Sequence, residues 1–288
     1  MKNKHGKYKL DGWMMLSIAT IFVLIFSYIP TIQAFILSFK TGNGANLSFS
    51  GFANYVRMFH DHTFWVTMGN TLLYALIQIP IMLLLAVIIA VLLNNPKLKF
   101  RGIYRTCIFL PCVTSLVSYS ILFKSLFAVD GIVNKLLLDL NVINKAILFT
   151  LDADWAKVTI IIALIWRYTG YFMIFYLSGL QNIDNQIYEA AEIDGANWRQ
   201  TLFKVTLPQL KPIVFLTGIM ALNTTLQLFD EVVNLTQGGP GNATRTISQY
   251  IYDLSFNYVP SYGYAAAISN VVLLLVMLLT LIQKRKAA

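Results

Sequence analysis

The chain has 288 residues, of which 57% are hydrophobic and only 12% charged. That charged share is about half of the roughly 25% usual in soluble domains, and the apolar residues gather in runs close to the roughly 20 residues that cross a bilayer core; a soluble globular chain is excluded. The net charge of +9 does not point to nucleic acid, because the basic residues sit at the ends of apolar runs, where they set membrane topology.

The first run, Trp13 to Phe39, follows the basic stretch KNKHGKYK. It is too long for the apolar part of a signal peptide and has no small-residue cleavage site after it, so it predicts an uncleaved spanning helix, bent at Pro30. Five more runs follow at 69–94, 103–128, 157–179, 212–229 and 262–283. Together they predict an all-α integral membrane fold with six spanning helices, residues 1–288 forming one transmembrane domain. The third run holds Pro111, Thr114, Ser115, Ser118, Ser120 and Lys124, which suits a helix lining something polar. Between the runs, DGIVNKLLLDL suits a short surface helix and TQGGPGNATRT is rich in turn residues. Cys107 and Cys112 lack metal-site spacing and read as buried filler. His60 and His62 sit in a polar loop where no further ligands gather.

Lys and Arg counts give the orientation. With both termini in the cytoplasm, fourteen of the 22 basic residues fall on the inside and seven outside, Arg167 being in a span; this is the bias that holds chains in the bacterial cell membrane in that sense. The polar block EAAEIDGANWRQTLFKVTLP, Glu189 to Pro208, then lies on the cytoplasmic side between the fourth and fifth spans. Asn185 is the expected N-cap of a short helix to about Ile193. Gly195 turns the chain, and a second short helix is expected to stop near Leu207-Pro208. Such a helix, fixed to two spans, works as a lever if a partner grips it; otherwise it is a solvated loop.

Arg167 lies about ten residues into the fourth span, a depth of about 15 Å at 1.5 Å per residue. A charge there faces a cavity or a subunit interface, or else it serves a structural ion pair or carbonyl clamp. Tyr168, Tyr171 and Phe175 share one helix face; Ala221, Thr225 and Leu228 share another on the fifth span, with Asn223 and Gln227 adjoining. Aromatic faces with amide and hydroxyl groups suit a sugar, and equally suit packing. Tyr119 and Ser118 are weaker candidates. The chain carries no G-x-x-x-x-G-K-[ST] loop, no H-E-x-x-H and no G-x-S-x-G, so nothing in it predicts ATP hydrolysis or another catalytic activity. An ion-coupled carrier is the rival class, disfavoured because the acidic residues fall in loops or at span ends, Asp230 and Glu231 among them. An assembly subunit without a pathway is a third.

The spacing Glu189-Ala190-Ala191, Gly195, Val205, Leu207-Pro208 resembles the signature loop of binding-protein-dependent ABC importer permeases, with Val205 where that family prefers isoleucine. YRTCIFLPCVTSLVSYSILFKSLFAVDGIVN and IWRYTGYFMIFYLSGLQNI are similar to the first of two permeases in carbohydrate importers of the maltose and glycerol-phosphate type, and the similarity covers residues 10–283. The resemblance implies the type I ABC importer permease fold and a role as half of a translocation pathway working by alternating access. It implies a homologous second permease, two ATPase subunits that bind ATP and Mg, and an extracellular sugar-binding protein, with no cofactor on this chain. It assigns Glu189, Ala190, Ala191, Asp194, Gly195, Leu207 and Pro208 to ATPase coupling. Tyr168, Tyr171, Asn223, Thr225 and Gln227 are the candidate sugar contacts, and Arg167 lies on the pathway or interface. Similarity to raffinose-type permeases implies an oligosaccharide such as an α-galactoside; glycerol-3-phosphate is the alternative.

Overall fold

The computed structural model describes residues 4–43 and 46–287. Lys2, used in the charge count, lies outside them, as do the side chains of Lys4, Lys7, Lys9, Lys284 and Lys286. The chain divides into two compact units, residues 1–61 with 251–274, and residues 62–250 with 275–288.

In the first unit, α1 (Lys4–Val23) passes through a π-helical turn at Leu24–Tyr28 into α2 (Ile29–Leu37). The wider turn lets Ile29 N reach back to Leu24 O, which makes room for the Pro30 ring without ending the helix. Among the described residues, none of the apolar window within Gly12–Leu37 is buried; a helix apolar all round and unburied is suited to lipid or to another subunit. A hairpin follows, β1 (Lys40–Asn43) against β2 (Asn46–Phe49), antiparallel with Thr41 opposite Ser48. Then comes α3 (Ala53–His60), where His60 Nδ1 lies 2.9 Å from Val56 O.

The second unit is built on α4 (His62–Asn94) and α8 (Ala153–Gln181). Buried residues of α4 recur as Thr67, Thr71, Tyr74, Gln78, Met82, Ala86, Ala90 and Leu93, the three-and-four spacing of a single helix face. That face meets α8 through Ile160, Leu164, Met173 and Tyr176. Gly170 of α8 allows the backbone of α5 (Arg101–Val113) to come close, since a Cβ there would run into the Ile108 carbonyl. Pro111 faces inward, but Cys107 is exposed and Cys112 half-buried. The buried-filler reading of the cysteines is therefore corrected: α5 gives only one stripe to α8 and Cys107 is off it.

The third apolar run is not one straight helix. α5 ends at Val113, α6 (Leu116–Leu126) begins after two intervening residues, and the two are bent by 98°. Beyond lies α7 (Ile132–Asp139), the expected short helix, set by Asn134, which donates to Ala128 O and Ile147 O. After α8 come α9 (Asn185–Ile193), α10 (Trp198–Gln200), a π-helical segment Thr201–Thr206 and α11 (Leu207–Leu226). α12 (Asp230–Leu235) and α13 (Ile247–Tyr252) lead to α14 (Tyr262–Ala287). Among the described residues, five helices are long and apolar enough to cross a membrane, or six if the bent pair counts as one.

Candidate functional site

The polar block after α8 is shaped by its own caps. Asp184, extended at φ −63° and ψ 129°, caps α9 by accepting from Gln186 N at 3.0 Å. Asn185, the expected cap, is already the first helical residue; a carboxylate one place earlier also complements the helix dipole. At the other end Gly195 N donates to Glu192 O and Ala196 N to Ala191 O, the paired bonds of a Schellman turn. Gly195 has φ +75° with open space around it, so the glycine answers a backbone need and not a steric one. Asn197 and Gln200 then form a reciprocal capping box at 2.8 and 3.0 Å.

Pro208 does not stop the helix. The π segment before it routes Leu207 N to Leu202 O, which leaves room for the proline ring. Trp198–Leu226 is thereby continuous. Glu189, Ala190, Asp194, Gly195 and Pro208 are exposed, Leu207 is half-buried, and Ala191 faces inward. In the same block Ile193 is 86% exposed, and Trp198 and Phe203 are also outward. Exposed apolar side chains gathered this way mark an interaction surface. Tyr188 and Thr206, 3.4 Å apart at their hydroxyls, tie α9 to the π segment. A cleft of about 470 Å³ separates this loop from the end of α4 at Asn94 and Asn95.

Deep in α8, Arg167 has partners within the chain. It is 8% exposed and paired with Glu231, 4% exposed, with Arg167 Nε 4.0 Å from Glu231 Oε1. Arg167 Nη1 donates to Thr114 O at 3.3 Å, and the guanidinium lies over the rings of Tyr119 and Tyr168. An ion pair and a carbonyl contact are thus both present within the chain. Tyr168 donates to Glu231 Oε1 at 2.7 Å. Glu231 was expected at the outer end of the fifth span. Instead α11 ends at Leu226 and the short α12 carries Glu231 into a buried position. A lone arginine in an apolar span demands an acid, and that demand was the available signal.

The remaining candidates part company. Thr225 is buried and donates to Ala221 O at 2.8 Å, its own helix. Tyr171 is half-buried, edge-on to Phe172 and Phe175. Asn223 and Gln227 are exposed and joined at 2.8 Å. Ala221 and Leu228 pack in the core. The GGPG loop is fixed by α4: Asn70 donates to Asn242 O and Arg245 O, and Tyr74 to Thr244 O.

The family described as binding-protein-dependent transport system inner membrane component matches residues 82–287. The chain belongs to that family. This inner membrane component is 50% identical to the lactose transport system permease protein LacF of Rhizobium radiobacter, across 96% of the chain and 93% of the relative. It is 34% identical to the multiple sugar-binding transport system permease protein MsmF of Streptococcus mutans serotype c, across 96% and 94%. It superposes, with TM-score 0.86 and 24% identity over 99% of this chain and 97% of the other, on a chain from a crystal structure of a bacterial ABC transporter involved in the import of the acidic polysaccharide alginate. The fold is the type I ABC importer permease fold. The inner membrane component is a multi-pass membrane protein and a transport component, not an enzyme.

Proposed function

We propose that this chain is one permease half of an ATP-driven oligosaccharide importer, with the loop over residues 184–206 as its coupling element. The observation that carries the proposal is the rigidly capped loop whose Glu189, Ala190, Asp194 and Gly195 face outward amid Ile193, Trp198 and Phe203. A loop that holds its own shape transmits a push; one that relies on its partner for shape does not. Of the two alanines only Ala190 is exposed for close approach, while Ala191 and the half-buried Leu207 turn toward the chain's own interior. ATP and Mg bind at partner ATPase subunits, whose closure moves the loop and alternates access between two homologous permeases. A sugar-binding protein delivers substrate on the opposite side, and both termini are cytoplasmic.

The sugar is a small oligosaccharide. The relative named for lactose makes lactose the first probe and a raffinose-type α-galactoside the second. Tyr171, Asn223 and Gln227 are the contacts with accessible polar atoms; Tyr168 and Thr225 spend theirs on Glu231 and Ala221.

The test is purification of the tagged chain with its companions, followed by ATP hydrolysis and sugar uptake in proteoliposomes. A second permease and a P-loop ATPase are expected, with hydrolysis stimulated by sugar and binding protein. Glu189→Lys is expected to abolish uptake while membrane yield and thermal stability stay within about 0.5 kcal/mol, as for an exposed side chain. Undiminished uptake by Glu189→Lys, or ion-driven uptake by the chain alone, overturns the reading.

A further inference from the structure

We infer that Arg167 is a positioning residue that holds the 98° break in the third span, with Glu231 supplying its counter-charge. The break is at Thr114 and Ser115, whose backbones are extended at φ −65°, ψ 147° and φ −55°, ψ 136°. Ending a helix inside an apolar layer leaves its last carbonyls without partners, and such a break is tolerated only where protein or water satisfies them. Two are met locally: Leu110 O takes Thr114 N, and Pro111 O takes Thr114 Oγ1 at 2.7 Å. The carbonyl of Thr114 itself is met from another helix, by Arg167 Nη1.

The same guanidinium grips the other arm. It lies 5.0 Å from the ring centre of Tyr119 on α6, and the neighbouring Trp166 stacks on that ring. Arg167 therefore touches the end of α5 and the first turns of α6 at once. Its charge is balanced by Glu231, which Tyr168 orients through a 2.7 Å hydrogen bond. A planar guanidinium can serve a carbonyl, a carboxylate and two ring faces together. Neutralisation alone would require none of the contacts to Thr114 or Tyr119.

Spin labels at Leu110 and Ile121, exposed on the two arms, read the break as an interlabel distance. The measurement uses the membrane-inserted transporter with Cys107→Ser and Cys112→Ala in the background. Arg167→Met and the double variant Arg167→Met/Glu231→Gln are both expected to broaden or shift that distance and to lower sugar uptake by about tenfold or more, having left the Thr114 carbonyl without its donor. Arg167→Lys, which retains the charge and a compact donor but not the planar fork, should shift the distance and lower uptake less than Arg167→Met does. The double variant buries no unpaired charge, so it remains in the membrane even where the single variant is lost. Restoration of distance and uptake in the double variant would reduce Arg167 to a charge partner and overturn the inference. So would an unaltered distance in both Met variants. The distance is read without ATP or sugar, so its outcome stands apart from the transport reading on which the uptake assay rests.

Discussion

The connector over residues 184–206 and the one over residues 236–247 are both polar loops of the same unit, yet only the second is clamped by a helix distant in sequence. In the first, the shaping bonds join near neighbours: Asp184 to Gln186, Glu192 to Gly195, Ala191 to Ala196, Asn197 to Gln200. In the second, local bonds such as Gly239 N to Thr236 O and Thr244 Oγ1 to Gly239 O are joined by a clamp from α4, at sequence separations of 170 to 176 residues: Asn70 to Asn242 and Arg245, Tyr74 to Thr244, and Ile247 N to Thr71 Oγ1. A self-capped loop keeps its form when displaced. A loop clamped by another helix cannot move without it. The first is built as a lever and the second as a fixture.

The sharpest way to break this contrast is to cut the clamp. Asn70→Ala removes one amide that serves two carbonyls, a loss of about 2 kcal/mol for polar groups left unpaired. Hydrogen exchange of the 242–247 amides should quicken about thirtyfold, since local opening scales with that free energy, while amides at 195–200 keep their rates. A uniform change across both loops would show that the two share one support.

The converse variant is Gly195→Ala. No neighbour crowds the position, so the cost is the left-handed backbone alone, about 1–2 kcal/mol. Exchange at Gly195 and Ala196 should rise about tenfold, and Gly195→Asn, better tolerated at positive φ, should rise less. The 236–247 loop should not respond. Equal effects of alanine and asparagine would mean that the turn does not depend on φ.

The same contrast explains what the sequence discloses. The helix after residue 184, the turn at Gly195 and the spans themselves are written in neighbouring residues, through capping types, glycine and apolar runs. The chain order of six apolar runs and the EAA-to-LP spacing sufficed for the fold. What escaped was contact between distant residues. Pro111, Thr114 and Ser115 hinted at a polar third span, but the 98° break has its Thr114 carbonyl met by a donor on Arg167, 53 residues away. Glu231 looked like a span-end acid because nothing local says that α12 carries it into a buried site. Pro208 looked like a stop because a π turn that makes room for proline has no composition signature. Tyr168 and Thr225 share helix faces with other sugar candidates, and only the folded chain shows their hydroxyls committed elsewhere.

The smallest expected effect tests whether the lever is self-sufficient to its first residue. Asp184 contributes a side-chain acceptor to Gln186 N and a negative charge at the N-terminus of α9. Replacement by alanine removes both, about 1 kcal/mol; replacement by asparagine removes only the charge, a few tenths of a kcal/mol at an exposed helix end. Exchange in the first turn of α9, at Gln186 and Ile187, should therefore rise about fivefold in Asp184→Ala and less than twofold in Asp184→Asn. The Schellman turn at Gly195 should hold in both, because its bonds reach back only to Ala191 and Glu192. If Asp184→Ala instead loosens Gly195 as much as Gln186, the loop folds as one cooperative unit. The coupling surface would then depend on every cap, and Glu189→Lys would have to be compared with Asp184→Ala before its loss of uptake is assigned to the contact with a partner.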